Sequence, residues 1–164
     1  VHYLFGKNPH TISSIGVSHT KNNIESLSYT TITYSGNFIA HINCSWSSPV
    51  KLRRILIGGT KKMIVYDDVE PTEKVKIYDT GFTVKKTEKN KMMIDYRVGD
   101  IHIPKLELKE ALLTAIEDFA HAIVSKKKIR SDGLFGAEIV NVLSLAEASM
   151  KKKGETIYVK NKRF

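Results

Sequence analysis

Between residues 37 and 46 apolar and polar side chains alternate. Phe38, Ala40, Ile42, Cys44 and Trp46 fall on one side, and Asn37, Ile39, His41, Asn43 and Ser45 on the other. A period of two marks a strand with one face in a core, and it assigns the first set to that face. Leu27 to Tyr34 is rich in Thr, Tyr and Ile, residues that fit a pleated surface. Ser35-Gly36-Asn37 between the two runs reads as a hairpin turn. Lys51 to Ile57 and Met63 to Tyr66 flank Gly58-Gly59-Thr60 in the same way. Two further strands are expected at Lys74 to Tyr78 and Met92 to Arg97. From Thr11 to about Ile103 no helical segment separates these runs, so the pairing should be largely antiparallel and hairpin-connected. That pattern excludes a doubly wound nucleotide-binding half.

Helical periodicity takes over near the end. Leu112, Ile116, Phe119 and Ile123 follow the spacing of a buried stripe, opposite Thr114, Glu117, Asp118 and Lys126. After Ser131-Asp132-Gly133, with Asp132 as N-cap, a second stripe runs through Ile139, Leu143, Ala146 and Met150 up to Gly154. The fold class expected is α+β: an open-faced, largely antiparallel sheet of about six strands, with helices on one face. The opposite face carries Tyr, Ile and Trp candidates, and is expected to pair with another subunit in a homo-oligomer. At the start, Val1 to Gly6 reads as the last turn of a helix closed by a left-handed glycine, so the chain is expected to begin within a helix.

Composition changes this picture little. The 164 residues fit one domain of ordinary size, 1–164, with 41% apolar and 26% charged residues. Cys44 is the sole cysteine, which rules out an intrachain disulfide and a cysteine zinc cluster and favours a reducing, cytoplasmic setting. Its place in the alternation makes it a small buried hydrophobe rather than a nucleophile. No apolar stretch approaches the roughly 20 residues of a membrane span, so no membrane partner is expected. The net charge of +9 raises an alternative, a basic stand-alone module for nucleic acid or another polyanion. Against it, the lysines cluster at loops and helix ends, as at Lys126 to Lys128 and Lys151 to Lys153, where a cation also offsets the helix dipole.

Few constellations carry chemistry. Gly58 to Lys62 lacks the spacing of a phosphate loop, and a strand rather than a helix follows it. No G-x-G-x-x-G occurs, so this chain alone is not expected to hold a dinucleotide. His2, His10, His19, His41, His102 and His121 include no pair at helical ligand spacing, and no metal site is expected. Asp67, Asp68, Asp95 and Asp100 supply carboxylates; Asp67 and Asp68 are adjacent at a strand end, which suits turns and caps better than acid–base catalysis.

Several segments, in order, resemble the Gfo/Idh/MocA (glucose-fructose oxidoreductase/inositol dehydrogenase) family. They are Val1 to Gly6; Gly36 to Trp46 followed by Ser47 to Arg54, with a Ser-Trp ahead of Pro49; Ile57 to Asp68; Tyr96 to Pro104; the Glu110 segment; and Asp132-Gly133 opening the last helix. The resemblance implies the carboxy-terminal substrate-binding and oligomerisation domain of an oxidoreductase. An upstream dinucleotide-binding domain would hold NAD or NADP. It also implies hydride transfer at a sugar carbon, aided by a Glu-Lys-Pro lysine and an Asp/His pair. Neither motif is in this chain, so no catalytic or cofactor-binding residue is assigned and His2 receives no role. The Ser45 to Pro49 and Tyr96 to Asp100 stretches look most like members acting on nucleotide-linked sugars. Two substrate-binding candidates follow: Arg97, whose planar fork suits phosphate or carboxylate, and Trp46, which has core packing as its stronger reading and a sugar face as its other.

Overall fold

A computed structural model describes residues 1–21, 24–86, 92–107, 109–129 and 131–159. The elements, in order, are α1 (His2–Phe5), β1 (Pro9–Val17), β2 (Leu27–Tyr34), β3 (Phe38–Ser45), β4 (Arg54–Gly58), β5 (Met63–Asp67), β6 (Val75–Lys86), β7 (Met92–His102), α2 (Ala111–Ser125), α3 (Gly133–Lys151) and β8 (Ile157–Tyr158). The strands form two four-stranded antiparallel sheets, ordered β3-β2-β1-β8 and β4-β5-β6-β7. The fold is α+β as expected, with strands divided between two sheets instead of running through one. Two compact units result: Val1–Ser48 with Thr114–Phe164, and Pro49–Leu113.

In the first unit α3 packs on β1. Ile12, Ile32, Tyr34 and Ala146 form the core, with Phe38, Ala40, Val142, Leu145 and Val159 packed against it. Gly36 and Asn37 take positive φ in the β2–β3 hairpin, and Gly6 takes the left-handed conformation that closes α1, where glycine or asparagine carries least steric cost. Asp132 caps α3 by accepting from Phe135 N. The other end closes as a Schellman motif: Gly154 N donates to Ser149 O and Lys153 N to Met150 O.

Three expectations change here. Ile42, Cys44 and Trp46 are exposed rather than buried. β3 is an edge strand, and only Phe38 and Ala40, opposite Tyr34 and Ile32, reach the cluster. The buried face of α3 is Val142, Leu145, Ala146 and Ser149, while Ile139 and Leu143 are exposed. The helix is turned because Ser149, fully buried, supplies hydrogen bonds to β1 that an apolar residue cannot. The third concerns α2, which forms where predicted, with Glu110 accepting from Leu112 N and Leu113 N. It buries no residue among those described. Period and cap define a helix locally, whereas burial needs a partner surface that periodicity does not name.

In the second unit, β4 to β7 pair antiparallel in chain order. β6 and β7 run well past the expected strand ends, β6 continuing through Asp79-Thr80-Gly81 to Lys86 and β7 to His102. Val98 faces Thr80 and Ile101 faces Tyr78, so Gly99 and Asp100 together oppose Asp79 in a β-bulge.

Candidate functional site

Arg97 lies on β7 directly opposite Gly81. Its Nη1 donates to Asp79 Oδ2 at 2.6 Å and its Nη2 to the Lys61 carbonyl at 2.6 Å. The guanidinium thus bridges Asp79, which faces the bulge, and the β4–β5 turn, with 52% of the side chain accessible. Gly81 makes the approach of the turn possible: a Cβ there would lie 2.6 Å from Thr60 O. At Gly99 a Cβ would lie 2.8 Å from Asp79 Oδ2. Two glycines therefore leave the room in which the carboxylate and the turn converge on one arginine.

Arg97 holds the Asp79 carboxyl below its ordinary range, chiefly through their hydrogen bond, with Lys62 adding to the effect. Asp79 is the residue sequence reasoning missed. Its signal is an aspartate two positions before a glycine inside what proves to be a continuous strand.

At the far end of β5, Asp67 accepts from Arg54 Nε at 3.0 Å and Nη2 at 2.7 Å, and caps the following turn through Val69 N. Asp68 accepts from Tyr66 Oη at 2.8 Å and from Arg53, with Lys74 Nζ at 3.6 Å. Asp67 takes the turn-capping role expected and adds an ion pair, whereas Asp68 is held by side chains. Both carboxyls are lowered, Asp67 first by the Arg54 hydrogen bond and Asp68 first by that from Tyr66, whose own phenol is raised by the same bond. A carboxyl lowered on folding gives stability that is full above its unfolded value and lost as pH falls through its folded one. The second sheet should therefore loosen as pH drops below about 4, read as faster amide exchange in β4 and β5; unchanged protection there would contradict the ion-pair roles.

Trp46 belongs to the first unit. Its side chain is exposed, 64% accessible for the residue as a whole, and its Nε1 donates to Glu25 O at 2.8 Å. The carbonyl bond fixes one edge of the indole and leaves a ring face to solvent. The core reading of Trp46 gives way to the exposed one. Arg97 lies in the other unit, so each candidate is placed within its own. Cys44 is a free, exposed thiol. Among the described residues no group of His, Cys, Asp and Glu could hold a metal ion, and no helix is long and apolar enough to cross a membrane. Several of the lysines at loops and helix ends are paired: Lys128 with Asp132, Lys151 with Glu147, Lys152 with Glu155.

An antiparallel sheet domain with helices after the strands, and no parallel crossover among the described residues, defines the class. Comparison with solved structures gives the kind of protein that carries it. UDP-N-acetylglucosamine 3-dehydrogenase GnnA from Acidithiobacillus ferrooxidans superposes with a TM-score of 0.68 at 20% identity, covering 92% of this chain and 43% of that one. Aldose-aldose oxidoreductase from Caulobacter crescentus gives 0.72 at 13% identity, covering 96% and 43%. A protein described as an NADPH-dependent oxidoreductase from Desulfitobacterium hafniense gives 0.68 at 16%, also covering 96% and 43%. No protein-family model and no curated relative matches the sequence. The chain has the fold of the carboxy-terminal domain of Gfo/Idh/MocA-type oxidoreductases, and it spans less than half the length of those solved proteins.

Proposed function

We propose that this chain is the substrate-binding and oligomer-forming half of a cytoplasmic NAD(P)-dependent oxidoreductase that acts on a sugar or a nucleotide-linked sugar. The observation that carries the reading is the near-complete match of this chain to 43% of a UDP-N-acetylglucosamine 3-dehydrogenase. On this reading both units work as one domain, residues 1–164, and an upstream domain holds the dinucleotide and the catalytic groups. Arg97 presents its remaining N–H groups to a phosphate or carboxylate of the substrate. The open indole of Trp46 packs a sugar face.

The open face of the first sheet is the proposed oligomer contact. Ile15, Val17, Tyr29 and Ile39 are exposed on the side opposite Ile12 and Ile32, and exposed apolar side chains on one sheet face favour a self-complementary contact. Ile39→Glu should then lower the mass of the oligomer, as read by sedimentation; unchanged mass would exclude that face.

The functional reading is tested by the denatured mass of the native polypeptide, detected with an antibody to this domain. A mass about twice 18.5 kDa fits an added dinucleotide-binding domain. A mass of 18.5 kDa would overturn the reading. In the long form, Trp46→Ala should raise KM several-fold for the sugar substrate with kcat little changed, the mark of lost ground-state binding; unaltered KM would remove Trp46 from the pocket.

A further inference from the structure

β7 is the outermost strand of the second sheet, and no described strand pairs with its outer edge. It is exposed from Ile94 through His102. β5 pairs with β6 only from Val75 to Tyr78, so from Thr80 onward β6 and β7 form a two-stranded ribbon with no third strand among the described residues. Such a ribbon is marginal in water by itself. One of its faces is apolar: Phe82 lies opposite Tyr96, flanked by Ile94 and Val98, with Tyr96 at 74% and Val98 at 83% exposure. A long edge strand with an apolar face is a template for another strand.

We propose that the occupant is a second copy of this chain, its β7 pairing antiparallel to the first across a two-fold axis, with Tyr96 opposite Tyr96 of the partner subunit. The sequence of β7 sets that register. A two-fold axis perpendicular to the sheet keeps each side chain on its own face, so some residue must face its own copy. Centring on Asp95 or on Arg97 opposes like charges, which is destabilising. Centring on Ile94 places Asp95 opposite Met93, and centring on Val98 places Arg97 opposite Gly99, so neither matches the charges.

Centring on Tyr96 places Asp95 opposite Arg97 of the partner subunit, twice by symmetry, and Ile94 opposite Val98 of the partner subunit, also twice. One face of the joint is then charge-complementary and the other is aromatic and aliphatic. Arg97 enters the pair already held by Asp79 and the Lys61 carbonyl, with N–H groups left over. The bulge at Gly99 and Asp100 ends the regular pairing just beyond Val98. This contact is separate from the open face of the first sheet and does not depend on the enzymatic reading.

The test uses the full chain with Cys44→Ser and a short bismaleimide cross-linker. Tyr96→Cys should give a covalent dimer, Val98→Cys alone less than about a tenth as much, and a mixture of the Ile94→Cys and Val98→Cys proteins should restore it, as opposed cross-strand pairs lie closest. No cross-link at 96, or equal yield from 98 alone, overturns the proposal. Tyr96 is exposed, so its replacement should leave the fold intact by circular dichroism. Independently, in an Ile39→Glu background that removes the first-sheet contact, Asp95→Arg places arginine against Arg97 of the partner subunit and should weaken self-association by about tenfold in sedimentation. Unchanged association would also overturn it.

Discussion

Ser149→Val is expected to destabilise the first unit by about 3 to 4 kcal/mol, against less than about 1 kcal/mol for Leu143→Ala on the same helix. Ser149 is fully buried. Its Oγ accepts from Ser14 N at 2.9 Å and donates to Glu155 O at 2.7 Å. β8 pairs with β1 only at Thr11 and Ile12, so at Ser14 the strand edge is satisfied by this hydroxyl instead of by another strand. Valine would leave the Ser14 N–H and the Glu155 carbonyl without their partner and would add volume to a closed site. Leu143 is exposed, so its truncation removes little. Urea denaturation of the two variants checks the ranking, and a Leu143→Ala cost equal to that of Ser149→Val would refute it.

The same pair of residues shows what periodicity could and could not convey. Apolar spacing located α3 and its cap correctly, yet it ranked Leu143 as core and passed over Ser149, because a hydroxyl that replaces a strand in a hydrogen-bond ladder leaves no hydrophobic mark. β2 was legible to the residue, since Leu27–Tyr34 is bounded by a turn whose glycine and asparagine take positive φ. β6 was expected to end at Tyr78 but runs on through Asp79 and Gly81, types depleted in strands, and only the packing of residues 60 and 61 over Gly81 explains why a glycine stands there. Arg97 was legible as a site candidate through its type and neighbours. Its two intramolecular partners were not, since Asp79 and Lys61 lie 18 and 36 positions away. Trp46 was misplaced for a simpler reason: alternation names a face but not how far along an edge strand the cover extends.

Gly81→Val should be the most damaging change in the second unit, costing about 3 kcal/mol, whereas Gly58→Ala nearby should be close to neutral. Gly81 has no left-handed φ to preserve; it is needed for space. A Cβ at Gly81 would meet Thr60 O at 2.6 Å and Lys61 Cα at 3.4 Å. Both are backbone atoms, so relief requires moving the β4–β5 turn as a body. A Cβ at Gly58 meets nothing within 4 Å. Lifting the turn would break the bond from Arg97 Nη2 to Lys61 O and leave the guanidinium held by Asp79. The loss should therefore appear twice, as a lower denaturation midpoint and as faster exchange of the Gly59 amide, which donates to Lys62 O across the turn. If Gly81→Val slowed or left unchanged the exchange at Gly59, the turn would not be held by its approach to the strand, and the placement of Arg97 would need another cause.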